Sequence, residues 1–196
     1  MNPDSLHRRS IRLSGFDYSQ SNAYFVTICA IERRCLFGSI HHGEVRLSGA
    51  GQIVIEEWLK TAQIRPSVKL DEFVVMPNHF HGVIIIEMEN EGTTRRAPII
   101  QGFGRPVAKS LPAIIGAFKF AAARRINAVN GTPCAPVWQR NFYEHVIRDE
   151  TSLNKIREYI INNPLSWELD RENPEKKGEA GFYKWLSSFK SRPTKG

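Results

Sequence analysis

His79 and His81, separated only by Phe80, sit in the run Met76-Pro77-Asn78-His79-Phe80-His81, between the apolar stretches Phe73-Val74-Val75-Met76 and Gly82-Val83-Ile84-Ile85-Ile86. Such flanks read as β-strand, and side chains on a strand alternate in direction, so residues two apart share a face. Both imidazoles therefore project together while Phe80 points away. Polar groups in apolar surroundings are costly unless they are paired or ligate something. Two neutral imidazoles side by side form half of a divalent-metal site. The plainer reading is a pair of hydrogen-bonded sheet histidines.

A metal pair needs a further ligand and a reacting group, and Glu158-Tyr159-Ile160-Ile161-Asn162-Asn163-Pro164 offers both. Tyr159 and Asn163 are four apart and share one face of a helix. The amide oxygen of Asn163 can complete a site of two histidines and one oxygen, with positions left for phosphate oxygens and water. That mixed set suits Mg²⁺ or Mn²⁺ better than closed structural zinc. Tyr159 would then stand beside the metal, where its phenol can attack a phosphodiester. A free tyrosine titrates near pH ~10 and is a poor nucleophile at neutral pH; a cation that stabilises the developing charge compensates. The sequence does not name the base that takes the phenol proton. Each residue also has an alternative. Tyr159 can be a core aromatic alongside Leu153, Ile156 and Ile160, and Asn163 can cap the helix before Pro164. Asn162 is the rival ligand and Tyr143 the rival nucleophile, the latter read as packing. His145 can support the metal ligands from behind or make a structural hydrogen bond.

The elements that must position these groups follow from patterning. Tyr24–Ala30 is rich in aromatic and β-branched residues and predicts a strand. Leu36–Leu47, with His42-Gly43 at its centre, predicts a hairpin. Ser48 caps a helix reaching about Ile64, and Phe73–Met76 and His79–Glu87 are two strands around a Pro77-Asn78 turn. Ser110 to Val129 has helical periodicity and ends at Asn130-Gly131. Val137–Arg148 reads as irregular or briefly extended, and Asp149–Asn163 as a final helix stopped by Pro164. The order predicts an α+β fold, a ferredoxin- or RRM-like antiparallel sheet with helices mainly on one face. Residues 1–20 are expected to form a basic arm, 21–169 the domain with a mobile loop at 88–108, and 170–196 a polar tail.

Of 196 residues, 41% are hydrophobic, enough for one sizeable core. Lysines and arginines outnumber acids 27 to 20, a net charge of +7 that suits a polyanionic partner. The cations expected to meet DNA phosphates are Arg8, Arg9 and Arg12 in the arm, Lys109, Lys119, Arg124 and Arg125 along one helix face, and Arg140. A solvated helix face is the ordinary alternative. Trp138 is a base-stacking platform or a core residue. Three cysteines, Cys29, Cys35 and Cys134, form no CxxC pair and fit a reducing compartment. The opening residues lack the apolar stretch of a signal peptide, and no apolar run is long enough to cross a bilayer. The expectation is a cytoplasmic, nucleoid-associated bacterial protein without a membrane partner.

Taken in order, Met76 to His81, Trp138 to Arg148 and Tyr159 to Pro164 resemble blocks of the HUH single-tyrosine transposases, in the branch of REP-associated tyrosine transposases. Arg12-Leu13, Tyr24-Phe25-Val26-Thr27 and Leu36-Phe37-Gly38 fit as well, so the resemblance spans roughly residues 8–170. It implies a ferredoxin-like fold acting as a monomer or homodimer on single-stranded or hairpin DNA. It further implies that His79, His81 and Asn163 hold the metal. Tyr159 would cut the strand to leave a 5′-phosphotyrosine. A non-catalytic RRM-like nucleic-acid binder is the reading from a different class, and a replication-initiator nickase would share the histidine motif.

Overall fold

The computed structural model describes residues 21–87, 110–178 and 181–188. In chain order these form β1 (Asn22–Cys29), the hairpin β2 (Gly38–His41) and β3 (Glu44–Leu47), α1 (Gly49–Gln63), β4 (Val68–Val75), β5 (His79–Ile86), α2 (Leu111–Asn130), β6 (Tyr143–Ile147), α3 (Glu150–Asn162) and α4 (Gly181–Ser188). The arm with Arg8, Arg9 and Arg12, the 88–108 segment and Lys109 lie outside the described residues.

Local chemistry accounts for most of these boundaries. His42 and Gly43 both adopt positive φ, as a tight I′ hairpin turn requires. The Ser48 hydroxyl accepts the Gly51 N–H at 3.1 Å and donates to the Leu36 carbonyl at 2.8 Å, starting α1 and tying it to the hairpin. Gly51 has no room for a side chain: a Cβ there would collide with the Phe37 carbonyl oxygen. Asp149 caps α3 through the Ser152 N–H at 2.7 Å, and Gly131, left-handed at φ 64°, ends α2.

The central sheet is antiparallel, in the order β4-β5-β1-β6. Two differences from the sequence reading concern its outer strands. β4 begins at Val68, five residues before the Phe73 start that the apolar run suggests, because Lys69, Asp71 and Glu72 interrupt the pattern at a register shift between Leu70 and Phe73. The stretch read as irregular contains β6, which pairs with β1.

Each face of the sheet has its own core. On one, Tyr24, Val26, Phe80 and Ile84 pack with Trp58 of α1 and with Ile114, Ile115 and Phe118 of α2. Trp58 lies 4.6 Å from the Phe80 ring centroid. On the other, Phe25, Val83 and Ile147 meet Leu153, Ile156 and Ile160 of α3 and Leu186 of α4. Burying one such side chain contributes roughly 1.5–3 kcal/mol. The expected covering of one face thus describes the two longest helices, while α3 and α4 occupy the opposite face. Arg157 fastens α3 to the sheet: its guanidinium spans both carboxylate oxygens of Asp71, in the β4 bulge, at 2.8 and 2.7 Å.

Candidate metal and tyrosine site

Register fixes what the α3-covered face displays. Thr27 of β1 pairs with His81 and Cys29 with His79, so both imidazoles point toward α3, where Phe25 and Val83 also point. Both histidines are fully buried. Their Nε2 atoms face each other at 3.0 Å. At that separation both nitrogens are within reach of one ion, and one ring N–H can also donate to the other ring.

Asn78 sets the chemistry of His79. Its Nδ2 donates to the carbonyls of Arg33 at 3.1 Å and Glu172 at 2.8 Å, so its Oδ1 is left to accept from His79 Nδ1 at 2.8 Å. That holds the ring proton on Nδ1 and leaves the Nε2 lone pair facing the site. His81 Nδ1 meets the Thr27 hydroxyl at 2.9 Å, a group able to accept or donate. Burial, reinforced by the neighbouring His81 and opposed by Asp170, pushes His79 down to about 3, so it stays neutral and available as a ligand.

The helix brings the remaining groups. Tyr159 Oη lies 3.2 Å from His81 Nε2, 3.1 Å from Asp170 Oδ2 and 2.9 Å from the Tyr183 hydroxyl. Asn163, one turn on, is buried and donates from Nδ2 to Asp170 Oδ2 at 2.7 Å. Among the described residues its Oδ1 is buried without a hydrogen-bond partner. An orphaned acceptor beside the facing Nε2 atoms of His79 and His81 makes a donor set that fits a cation. Asn162 is exposed and bonds back to the Glu158 carbonyl at 3.0 Å, so it is no rival.

Asp170 is the residue that the sequence reading missed. Composition assigns it to a polar tail starting at 170, yet it is buried. The Trp167–Leu169 turn folds the chain back so that its Oδ2 lies 4.0 Å from the Nε2 of each histidine. His79, His81 and Asp170 form a group able to hold a metal ion. Burial alone would raise the Asp170 pKa, but hydrogen bonding and charge from His81, with His79 and Asn163, hold it well below the usual carboxylate range. The only early signal was its position seven residues after Asn163 within a chain segment that must turn sharply after Pro164. Glu172 is buried with it, binding Arg33 at 3.1 Å and Arg171 at 2.9 Å. α4 then closes over the tyrosine, and the Phe182 ring stacks on that of Tyr159 at 3.6 Å, nearly parallel. Burial, then Tyr183 and Asp170, raise the Tyr159 pKa far above its ordinary value, so the phenol is neutral in this arrangement.

Other expected site residues fall elsewhere. Tyr143 stands on β6 opposite Thr27, one strand further out, edge-on to Phe25, and burial pushes it to about 12. His145 pairs across β1 with Phe25, which itself stacks on His81. Cys29, opposite His79, donates its thiol to Glu172 and is pushed by burial to about 12, which makes it a poor metal ligand.

The basic residues of α2 expected to meet DNA include two, Lys119 and Arg125, with partners inside the chain. α2 packs on the sheet face opposite the histidines. The Lys119 ammonium donates to the carbonyls of Gln139 at 2.6 Å and Arg140 at 3.0 Å, stitching the chain after α2 to the helix. Arg125 pairs with Glu56 at 2.6 Å and Glu57 at 2.7 Å of α1. Trp138 is buried against Phe37 with its indole N–H on the Lys119 carbonyl at 3.1 Å, a core residue rather than a stacking platform. Arg124 and Arg140 are exposed. The RRM-like alternative needs an open sheet face with presented aromatics; here Tyr24, Phe25 and Phe80 are all buried under helices. Among the described residues no helix is long and apolar enough to cross a membrane.

No known family profile matches the chain. It is 40% identical over 167 residues to an uncharacterised protein of Haemophilus influenzae, an alignment covering 84% of this chain and 92% of that protein. Among solved structures, a REP-associated tyrosine transposase bound to a REP hairpin superposes with a TM-score of 0.50 at 19% identity, over 80% of this chain and 74% of the other. The α+β fold is therefore the one that transposase adopts.

Proposed function

The chain belongs to the same family as the Haemophilus influenzae protein, and we propose that it is a metal-dependent enzyme that nicks and rejoins single-stranded DNA beside a hairpin. One observation carries this reading: the Tyr159 hydroxyl approaches His81 Nε2 to 3.2 Å, next to the facing imidazole pair. The hairpin bound by the structurally similar transposase supports the choice of substrate.

In this reading His79 and His81, with Asn163 and Asp170, hold Mg²⁺ or Mn²⁺. The bound cation supplies positive charge that polarises a phosphate oxygen and offsets the cost of ionising the phenol. Asp170 keeps the phenol O–H aimed at the site, and Asn78 keeps the His79 lone pair facing inward. Tyr159 Oη forms a bond to phosphorus as the P–O3′ bond breaks. The phenol proton is balanced by the free 3′-hydroxyl of the released strand, and the other end stays as a 5′-phosphotyrosine. Because one phosphodiester replaces another, the step runs backward as readily and allows religation to a new end.

The test is incubation of the protein with single strands spanning hairpin-forming repeats and Mg²⁺ or Mn²⁺, followed by denaturing electrophoresis. A covalent adduct is expected from the wild type and none from Tyr159→Phe, which still binds the strand. No adduct across a broad panel, or an adduct with the Phe variant, refutes the reading.

A further inference from the structure

A cavity of about 690 Å³ lies beside the tyrosine, lined by Arg33, Arg171, Lys176 and Lys184 with Tyr183 and Asn173. Its size falls within the range of small-ligand sites, about 300–1,000 Å³. Its lining contributes four cations and no acid. Two of those cations are built into the frame of the metal site. Arg33 and Arg171 share the buried Glu172 carboxylate, at 3.1 and 2.9 Å. The backbone carbonyl of Glu172 also holds Asn78, which orients His79. Arg171 lies 4.5 Å above the Tyr183 ring, and the Tyr183 hydroxyl is 2.9 Å from that of Tyr159. Tyr183 thus both lines the cavity and hydrogen-bonds the tyrosine. The basic residues of α2 sit on the helix that packs against the opposite sheet face.

We propose that this cavity seats a nucleotide of the single strand adjoining the phosphodiester that Tyr159 attacks, with its phosphate met by the arginine and lysine side chains. The proposal rests on the strand-cleaving function above. It accounts for a positively charged cavity one of whose lining residues, Tyr183, hydrogen-bonds the Tyr159 hydroxyl. A free phosphate would satisfy the cations equally well but gains nothing from that adjacency.

Anisotropy titrations of the full chain with a labelled oligo-dT strand, between about 50 and 200 mM salt, test it. Lys176 and Lys184 are both exposed, so charge reversal there leaves the core intact. The double variant Lys176→Glu/Lys184→Glu should lose about tenfold in affinity, and the logarithmic salt slope should flatten by about 1.4 for two phosphates. Arg124→Glu, exposed on α2 across the sheet, should change neither. Wild-type binding and slope in the double variant overturn the proposal, as does an equal loss with Arg124→Glu. Displacement of the strand by inorganic phosphate as effective as by unlabelled oligo-dT, at equal phosphate concentration, overturns it in favour of a small-anion site. If the wild type forms the Tyr159 adduct while the double variant binds normally, the cavity inference fails and the proposed function stands. If the wild type neither binds strands nor forms an adduct, both fall together.

Discussion

Replacing Asp170 with asparagine tests the site at its hub. The carboxylate Oδ1 accepts the Glu172 N–H at 2.7 Å, while Oδ2 accepts from Asn163 Nδ2 at 2.7 Å and from Tyr159 at 3.1 Å. An asparagine must keep its oxygen toward the Glu172 N–H, which turns its NH₂ onto the Asn163 NH₂. Two donors then face each other in a buried site, and Tyr159 loses an acceptor. A buried polar group left unsatisfied costs about 1–3 kcal/mol. Taking about 2 kcal/mol, a chain of this size should melt about 4–8 °C lower. The metal should suffer separately. Losing the negative charge of a group able to hold a metal ion removes a direct attraction for a divalent cation. Water that enters the site weakens this, so a loss of at least about tenfold in Mn²⁺ affinity is expected. Scanning calorimetry without metal reads the first effect, and Mn²⁺ titration calorimetry of Asp170→Asn against wild type reads the second. Unchanged Mn²⁺ affinity would refute the place given to Asp170 in the metal site, and an unchanged melting temperature would refute the hydrogen-bond hub.

Acid should destabilise the metal-free protein through His79, whose folded pKa of about 3 lies below that of an unfolded histidine, near ~6.5. Between those values the unfolded chain binds more protons, so stability falls as pH drops, by about 2 kcal/mol between pH 7 and 5; equal urea midpoints at the two pH values would contradict neutral burial. Lys119→Ala strips the ammonium from carbonyls of Gln139 and Arg140 and should cost about 1–3 kcal/mol in urea unfolding, whereas a mere DNA contact would leave stability untouched. Gly51→Ala forces a Cβ against the Phe37 carbonyl and should destabilise by about 1–3 kcal/mol. The companion Gly49→Ala, with nothing within 4 Å of the added carbon, should cost nothing; similar losses at both positions would point to the helix start rather than to the close approach.

The parts of the site that were legible in the sequence are those set by local periodicity. The two-residue spacing of His79 and His81 fixes a shared strand face, and the four-residue spacing of Tyr159 and Asn163 fixes a shared helix face. The Ser48 and Asp149 caps and the His42-Gly43 turn are likewise short-range chemistry, and each lies where its residue type predicts. What stayed hidden depends on long-range return of the chain. Nothing about Asp170 in Leu169-Asp170-Arg171-Glu172 distinguishes it from a solvated acid until a turn carries it under α3. Lys119 and Arg125 look like a phosphate-reading stripe because helical spacing reveals which residues share a face, but not which carbonyls or carboxylates stand opposite. Trp138 was undecidable for the same reason: its burial is decided by Phe37, about a hundred positions earlier in the chain.

The clamp on Asn78 has a consequence for how this protein can drift. Both acceptors that lock its amide are main-chain oxygens, of Arg33 and Glu172, and every amino acid carries one. The anchor itself therefore uses no side-chain atom of Arg33 or Glu172, whose side chains are occupied in the ion pair with each other. The constraint concentrates on Asn78 alone: aspartate there would present no donor to either oxygen, and the orientation of the first imidazole would be lost with it.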